Sequence, residues 1–237
     1  MPPRPEAPGK GYCRPPLVDP TSGFRAWIDT ARAVVMATVL LGSLILLNLG
    51  QVASVVILPV APRAFRRFNR GVAQLWWGWC AWTTQTFYGA HIVETGDTLP
   101  MRENAIVLAN HQQMADITFL MFLARKYERL GDMKWMLKKV IRYVPGIGWG
   151  LLFLDNVFLA RDWNADEQKV KQTFENLVQH QVACWMLSFP EGSRMSAAKL
   201  QASRAYQMDK GLQPLAHVLA PRTKGFVSSV QGLREHV

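Results

Sequence analysis

The sequence predicts an α/β domain, a largely parallel sheet flanked by helices, preceded by an N-terminal membrane-anchoring helical segment. Three observations lead there. Short apolar runs that end in turn or charged residues alternate with helix-like stretches, the pattern of a parallel sheet covered by helices. Residues 33–60 contain no charged side chain and are dominated by Val, Leu, Ile, Met and Ala. The chain has 237 residues, 49% of them hydrophobic and only 19% charged, enough to bury a sizeable core in one domain with an appendage.

In chain order, residues 1–30 read as a tail, because Pro2, Pro3, Pro5, Pro8, Pro15, Pro16 and Pro20 rule out regular structure. Residues 31–90 read as a membrane anchor. A span needs about 20 apolar residues, and the uncharged run has room for one. It starts too far from Met1, is too long and lacks a small-residue cleavage pattern, so a cleaved signal peptide does not fit. Asn48 and Gln51, near its far end, are its only strongly polar side chains. Arg63, Arg66, Arg67 and Arg70 follow, with no acid between Asp29 and Glu94, which puts that end on the cytoplasmic side. Residues 71–90 are again uncharged and hold Trp76, Trp77, Trp79 and Trp82. Val72, Leu75, Trp76, Trp79 and Trp82 share one helical face. Two readings stand, a second span or a shallow helix at the interface, and the Trp-rich amphipathic pattern favours the shallow one.

Residues 91–237 read as the soluble domain. Residues 96–100 form a turn, 104–109 a strand, 116–127 a helix and 132–143 a second helical stretch stopped by Pro145-Gly146. Residues 150–159 contain a strand. Residues 166–180 form an amphipathic helix with Phe174, Leu177 and Val178 inward, and 182–189 a buried strand. In open α/β sheets sites lie at the carboxyl ends of strands. Asn110-His111 and Pro190-Glu191-Gly192 both sit at such ends.

The formal net charge of +10 suits nucleic acid, an anionic membrane or an acidic substrate. The tryptophan run lies in an uncharged, membrane-like stretch, so lipid and phosphorylated substrate are preferred and nucleic acid is not expected. The three cysteines are far apart and lack metal-ligand spacing; reduced thiols and no metal are expected. His111 and Asp116 can be brought together by one tight turn, the His as general base and the Asp fixing its tautomer. No Ser or Cys stands between them, so the attacking group can come from the substrate. Lys134, Lys138, Lys139 and Arg142 read as a solvated helix face or as contacts to lipid headgroups or the phosphates of coenzyme A.

His111 with Asp116, then Gly148-Trp149 and Phe158-Leu159-Ala160-Arg161, then Phe189-Pro190-Glu191-Gly192-Ser193-Arg194, resemble the blocks of the glycerolipid acyltransferases. The stretch Val218-Leu219-Ala220-Pro221-Arg222-Thr223-Lys224-Gly225-Phe226 is similar to the 1-acylglycerol-3-phosphate acyltransferases of the endoplasmic reticulum. The resemblance implies a membrane enzyme with a cytosol-facing domain that moves an acyl chain from acyl-CoA to the sn-2 hydroxyl of lysophosphatidic acid. Acyl-CoA is then a co-substrate, no cofactor is needed, and lipid bilayer, acyl-CoA and lysophospholipid are the partners. It also implies that Glu191, Gly192, Ser193 and Arg194, helped by Arg161, shape the site for the acceptor's phosphate. Lysophosphatidylinositol and lysocardiolipin acyltransferases have similar blocks. Relatives continue past the Pro-Arg-Thr-Lys-Gly-Phe block into a further strand, so a shortened chain that only binds lipid or a partner is the alternative.

Overall fold

The computed structural model describes residues 23–90, 92–160 and 162–237. The Pro-rich tail up to residue 22 and Arg161 lie outside the described residues. The chain divides into two compact units, Met1–Leu41 and Gly42–Val237.

Helix α1, Phe24–Ser54, contributes its N-terminal part to the first unit and its last turns to the second. The stretch Ala26–Ile57 is long and apolar enough to cross a membrane. Its two polar exceptions have a structural reason. Asn48 Nδ2 donates to Gln51 Oε1 at 2.9 Å, and Gln51 Nε2 donates to the carbonyl of Gly150 at 3.4 Å. Ser54 Oγ accepts from Asn69 Nδ2 at 3.1 Å. The end of α1 is thus tied by buried polar bonds to α2, Pro62–Trp82, and to α4, Ile147–Leu152.

Pro62 occupies the first turn of α2, where its missing N–H costs nothing. This helix has two apolar rows. Phe65, Ala73, Trp77 and Ala81, with Asn69 between them, recur every four residues or a multiple of four and are buried. Phe68, Leu75, Trp79 and Trp82 are exposed. Arg70 grips Asp132 through Nε at 2.5 Å and its second nitrogen at 2.9 Å. Arg66 reaches Asp155 and Asn176. The tryptophan-rich stretch, read from sequence as part of the anchor, therefore builds one wall of the domain's core.

The sheet has strands β1 (Ala105–Leu108), β2 (Met133–Lys138), β3 (Val157–Leu159) and β4 (Trp185–Ser188). Their order is β1-β4-β2-β3, and every pairing is parallel. The expected α/β architecture is borne out, with α3 (Ala115–Lys126), α5 (Trp163–Gln179), α6 (Ala197–Asp209) and α7 (Thr223–Leu233) completing it. Side chains alternate across the sheet. Trp185 and Leu187 of β4 join Trp77 of α2 and Ala124 of α3 in one apolar cluster. Met186 points the other way, into a cluster with Val170 and Phe174 of α5 and Leu233 of α7. Helices cover both faces, which is why the central strands read as continuous apolar runs.

Residues 132–143 are not the helix that the sequence suggested. They form a short turn, strand β2 and a second turn, Lys139–Tyr143. The spacing of Lys134, Lys138, Lys139 and Arg142 imitates a wet helical face. The alternation of Met133, Trp135 and Leu137 is the signal that wins, because these three side chains pack into the α2–α3 cluster. Lys134 is consequently buried, 4% exposed, and the headgroup or coenzyme A contact expected of it is withdrawn. Burial pushes its ammonium group below the usual lysine range, against the pull of Asp155 and Asp132. Lys138 and Lys139 are exposed.

Candidate active site

The site grows from the carboxyl edge of the sheet. Strand β1 hands over to the loop before α3, and β4 hands over to the loop before α6. Ala109 N still donates to the Ser188 carbonyl at 3.2 Å, so the two chains leave the sheet side by side. His111 N then donates to Glu191 Oε1 at 3.1 Å. Met195 N donates to the His111 carbonyl at 2.8 Å. The imidazole stacks on Phe189 with ring centroids 4.1 Å apart. The histidine is fixed by its backbone on both sides and by its ring face.

Asp116 sits in the first turn of α3, a favourable place for a carboxylate. Its Oδ2 accepts from Gln112 N at 2.7 Å, Gln113 N at 2.8 Å and His111 Nδ1 at 2.9 Å. Burial pushes this carboxyl group up, but the His111 bond and the two backbone amides outweigh burial and leave it below the usual aspartate range. An ionised carboxylate can only accept, so Nδ1 carries the hydrogen of that bond. In the neutral ring the lone pair is then on Nε2. This is the arrangement of a general base with an orienting acid.

The expected Glu191–Arg194 grouping comes apart into separate roles. Glu191 is buried, 7% exposed, with Oε1 on the His111 amide and Oε2 without a partner among the described residues. Ser193 is half-buried and Arg194 is exposed. Gly192 has φ +68°, a conformation that favours glycine, and its N–H closes a turn onto the Phe189 carbonyl at 2.9 Å.

Arg222, in the Val218–Phe226 block, also stands at the site. Its N–H donates to the Pro190 carbonyl at 2.8 Å. Its side chain lies against Gly192, where a Cβ would stand 3.1 Å from Nε. The segment before it is tied in as well, since Gln112 Nε2 donates to the His217 carbonyl at 3.0 Å. The signal that could have found Arg222 was the density of Pro, Arg, Lys and Gly in one short stretch at a loop. Cys184 offers no rival nucleophile, because burial pushes its thiol up to about 11.

His111 and Asp116 are thus paired at the carboxyl edge of the parallel sheet. The acyltransferase family model matches residues 91–234, and the chain belongs to that family. It is 33% identical over 202 residues to the 1-acyl-sn-glycerol-3-phosphate acyltransferase 3 of Arabidopsis thaliana, covering 84% of this chain and 54% of that one. Against the delta form from Mus musculus it is 32% identical over 220 residues, covering 86% and 55%. The murine gamma form is 29% identical over 223 residues, covering 90% and 58%. The chain spans about half the length of the curated relatives it matches. No solved structure matches it. The resemblance seen in the motifs is borne out.

Proposed function

We propose that the protein transfers a fatty acyl group from acyl-CoA to the sn-2 hydroxyl of lysophosphatidic acid, giving phosphatidic acid. The observation that carries this reading is the 2.9 Å bond between His111 Nδ1 and Asp116 Oδ2, which leaves Nε2 as the base. Nε2 takes the hydroxyl proton as the oxygen attacks the thioester carbonyl. The tetrahedral adduct collapses, the carbon–sulfur bond breaks, and the imidazolium returns the proton to the departing thiolate. Asp116 stabilises the imidazolium in between. Glu191 holds the His111 backbone through Oε1, which keeps the base in place.

The acceptor's phosphate falls to the cations at the same edge, Arg194 and Arg222, with the Ser193 hydroxyl next to Arg194 in sequence. Arginine's fork matches phosphate in a bidentate way. Arg161 joins them by the motif resemblance. The names of the relatives support this acceptor. The apolar length of α1 supports a bilayer anchor, the exposed Arg63 and Arg67 support a cytosol-facing domain, and the motif resemblance supports the endoplasmic reticulum. The exposed row Phe68, Leu75, Trp79 and Trp82 supports α2 lying shallowly in the interface.

The test uses membranes carrying the protein, labelled acyl-CoA, and lysophosphatidic acid, lysophosphatidylinositol and lysocardiolipin as acceptors. Labelled phosphatidic acid as the main product supports the reading. Preference for another acceptor moves the specificity. No product with any acceptor leaves a membrane protein that only binds lipid.

A further inference from the structure

We propose that the exposed segment 138–152 is a second lipid-contact surface, which presses the mouth of the site against an anionic bilayer. The proposal rests on α1 being a membrane anchor and deepens the reading above.

Four observations carry it. The segment exposes Val140, Tyr143, Val144, Ile147, Trp149 and Leu152, with Tyr143 at 67% and Val140 at 64%. Several large apolar side chains exposed to water within one short segment mark a contact surface. The stretch between Asp132 and Asp155 contains no acidic residue, while Lys138, Lys139 and Arg142 are basic and exposed. The Arg142 guanidinium carbon lies 5.6 Å from the centre of the Tyr143 ring. Aromatic rings beside lysine and arginine are the composition of a membrane–water interface, and anionic lipid attracts the cations.

Position is the third observation. Gly150 of α4 is held by the end of the anchor helix, through Gln51 Nε2 on its carbonyl at 3.4 Å. A Cβ at residue 150 would lie 3.1 Å from Asn48 Nδ2, so the Asn48 side chain packs directly against the Gly150 backbone. The segment therefore sits where α1 meets the domain. The fourth is direction. All strands are parallel, so β2 ends at the same edge as β1 and β4. Trp135 pairs with Leu187, which sets Lys138 level with Pro190, the residue before Glu191. Lipid contact here brings an amphipathic acceptor to His111 from the membrane plane, with its headgroup at the arginines.

The full chain is reconstituted in vesicles of roughly three parts phosphatidylcholine to one part phosphatidylserine. A fluorescent amino acid is placed in turn at Val140, at Tyr143, at Leu46 in the anchor and at Lys171 on α5. Quenching by bromine on the lipid tails is compared with quenching by iodide in water. Probes at Val140, Tyr143 and Leu46 are expected to be quenched several-fold more by bromine, and the probe at Lys171 several-fold more by iodide. Replacing Lys139 and Arg142 by Glu is expected to reduce bromine quenching at Val140 at least twofold and leave Leu46 unchanged. Lipid contact at Leu46 with water contact at Val140 and Tyr143 overturns the proposal while the anchor stands. Water contact at all of them overturns both. Shielding of Val140 and Tyr143 from both quenchers means that protein covers the segment, and also overturns the proposal. Loss of acyl transfer with intact lipid contact would count against the proposed function alone.

Discussion

Replacing Asp116 by Asn removes one charge and little else. Its Oδ2 accepts three hydrogen bonds, from His111 Nδ1 and the amides of Gln112 and Gln113. The Asn carbonyl oxygen can take the same place, so the loop can keep its shape. Bonds to a charged acceptor contribute about 1.5–3 kcal/mol each and neutral ones about 0.5–1.5 kcal/mol. Three such differences set a ceiling of about 3–4 kcal/mol on lost stability, and the side chain's 19% exposure lowers it. The catalytic loss is of another kind, because the negative charge that stabilises the imidazolium is then gone. General-base catalysis contributes about 10²–10⁴-fold, or about 3–5 kcal/mol of barrier. We expect kcat to fall at least 100-fold with KM for both substrates within about threefold of wild type. The assay is acyl transfer in membranes, with thermal unfolding as the check on fold. The pH dependence has a definite sign. The folded carboxyl group lies below its unfolded value, so its stabilisation is complete above the ordinary aspartate range and is lost as pH falls through the folded value. The stability gap between wild type and variant should therefore close in acid. A variant with kcat within threefold of wild type would refute the assignment of Asp116.

Other outcomes follow from the same structure. Arg222→Ala should raise KM for a phosphate-bearing acceptor roughly tenfold and leave KM for acyl-CoA unchanged, with Arg222→Lys recovering only part, as steady-state kinetics would read. Phe174, fully buried on α5 against α7, should lower the thermal midpoint by roughly 6–20 °C when cut to Ala, the equivalent of about 3–5 kcal/mol. Lys134→Met should leave the midpoint unchanged or raise it, because Asp132 keeps Arg70 and Arg129 and Asp155 keeps Arg66. A fall there would mean that the ammonium group is held by a bond that matters.

The parts of the site that were legible in sequence are those set by local spacing at strand ends. His111, Asp116 and Glu191 needed only one turn each and the rule that parallel strands end together. Strand β2 was misread because lysines at helical intervals masked its alternation, and because Lys134 is tolerated inside only through its acidic neighbours. The double character of α2 was half visible. Its aromatic row stood out, while the buried row depends on small Ala73 and Ala81 fitting the core, which composition does not reveal. Arg222 lies in a stretch whose composition marks a loop, but its place at the site depends on the Gly192 turn, far away in sequence. Asn48 and Gln51 stand out as polar in an apolar helix for a reason that lies far along the chain, since Gln51 donates to the Gly150 carbonyl and Asn48 donates to Gln51.

The most direct test of the central claim is the rate of coenzyme A release with lysophosphatidic acid and acyl-CoA, comparing wild type with His111→Ala in the same membranes. The account predicts that release requires both substrates and falls at least 100-fold in the variant, with unchanged expression and thermal midpoint. Release that persists in the variant at a comparable rate would contradict it.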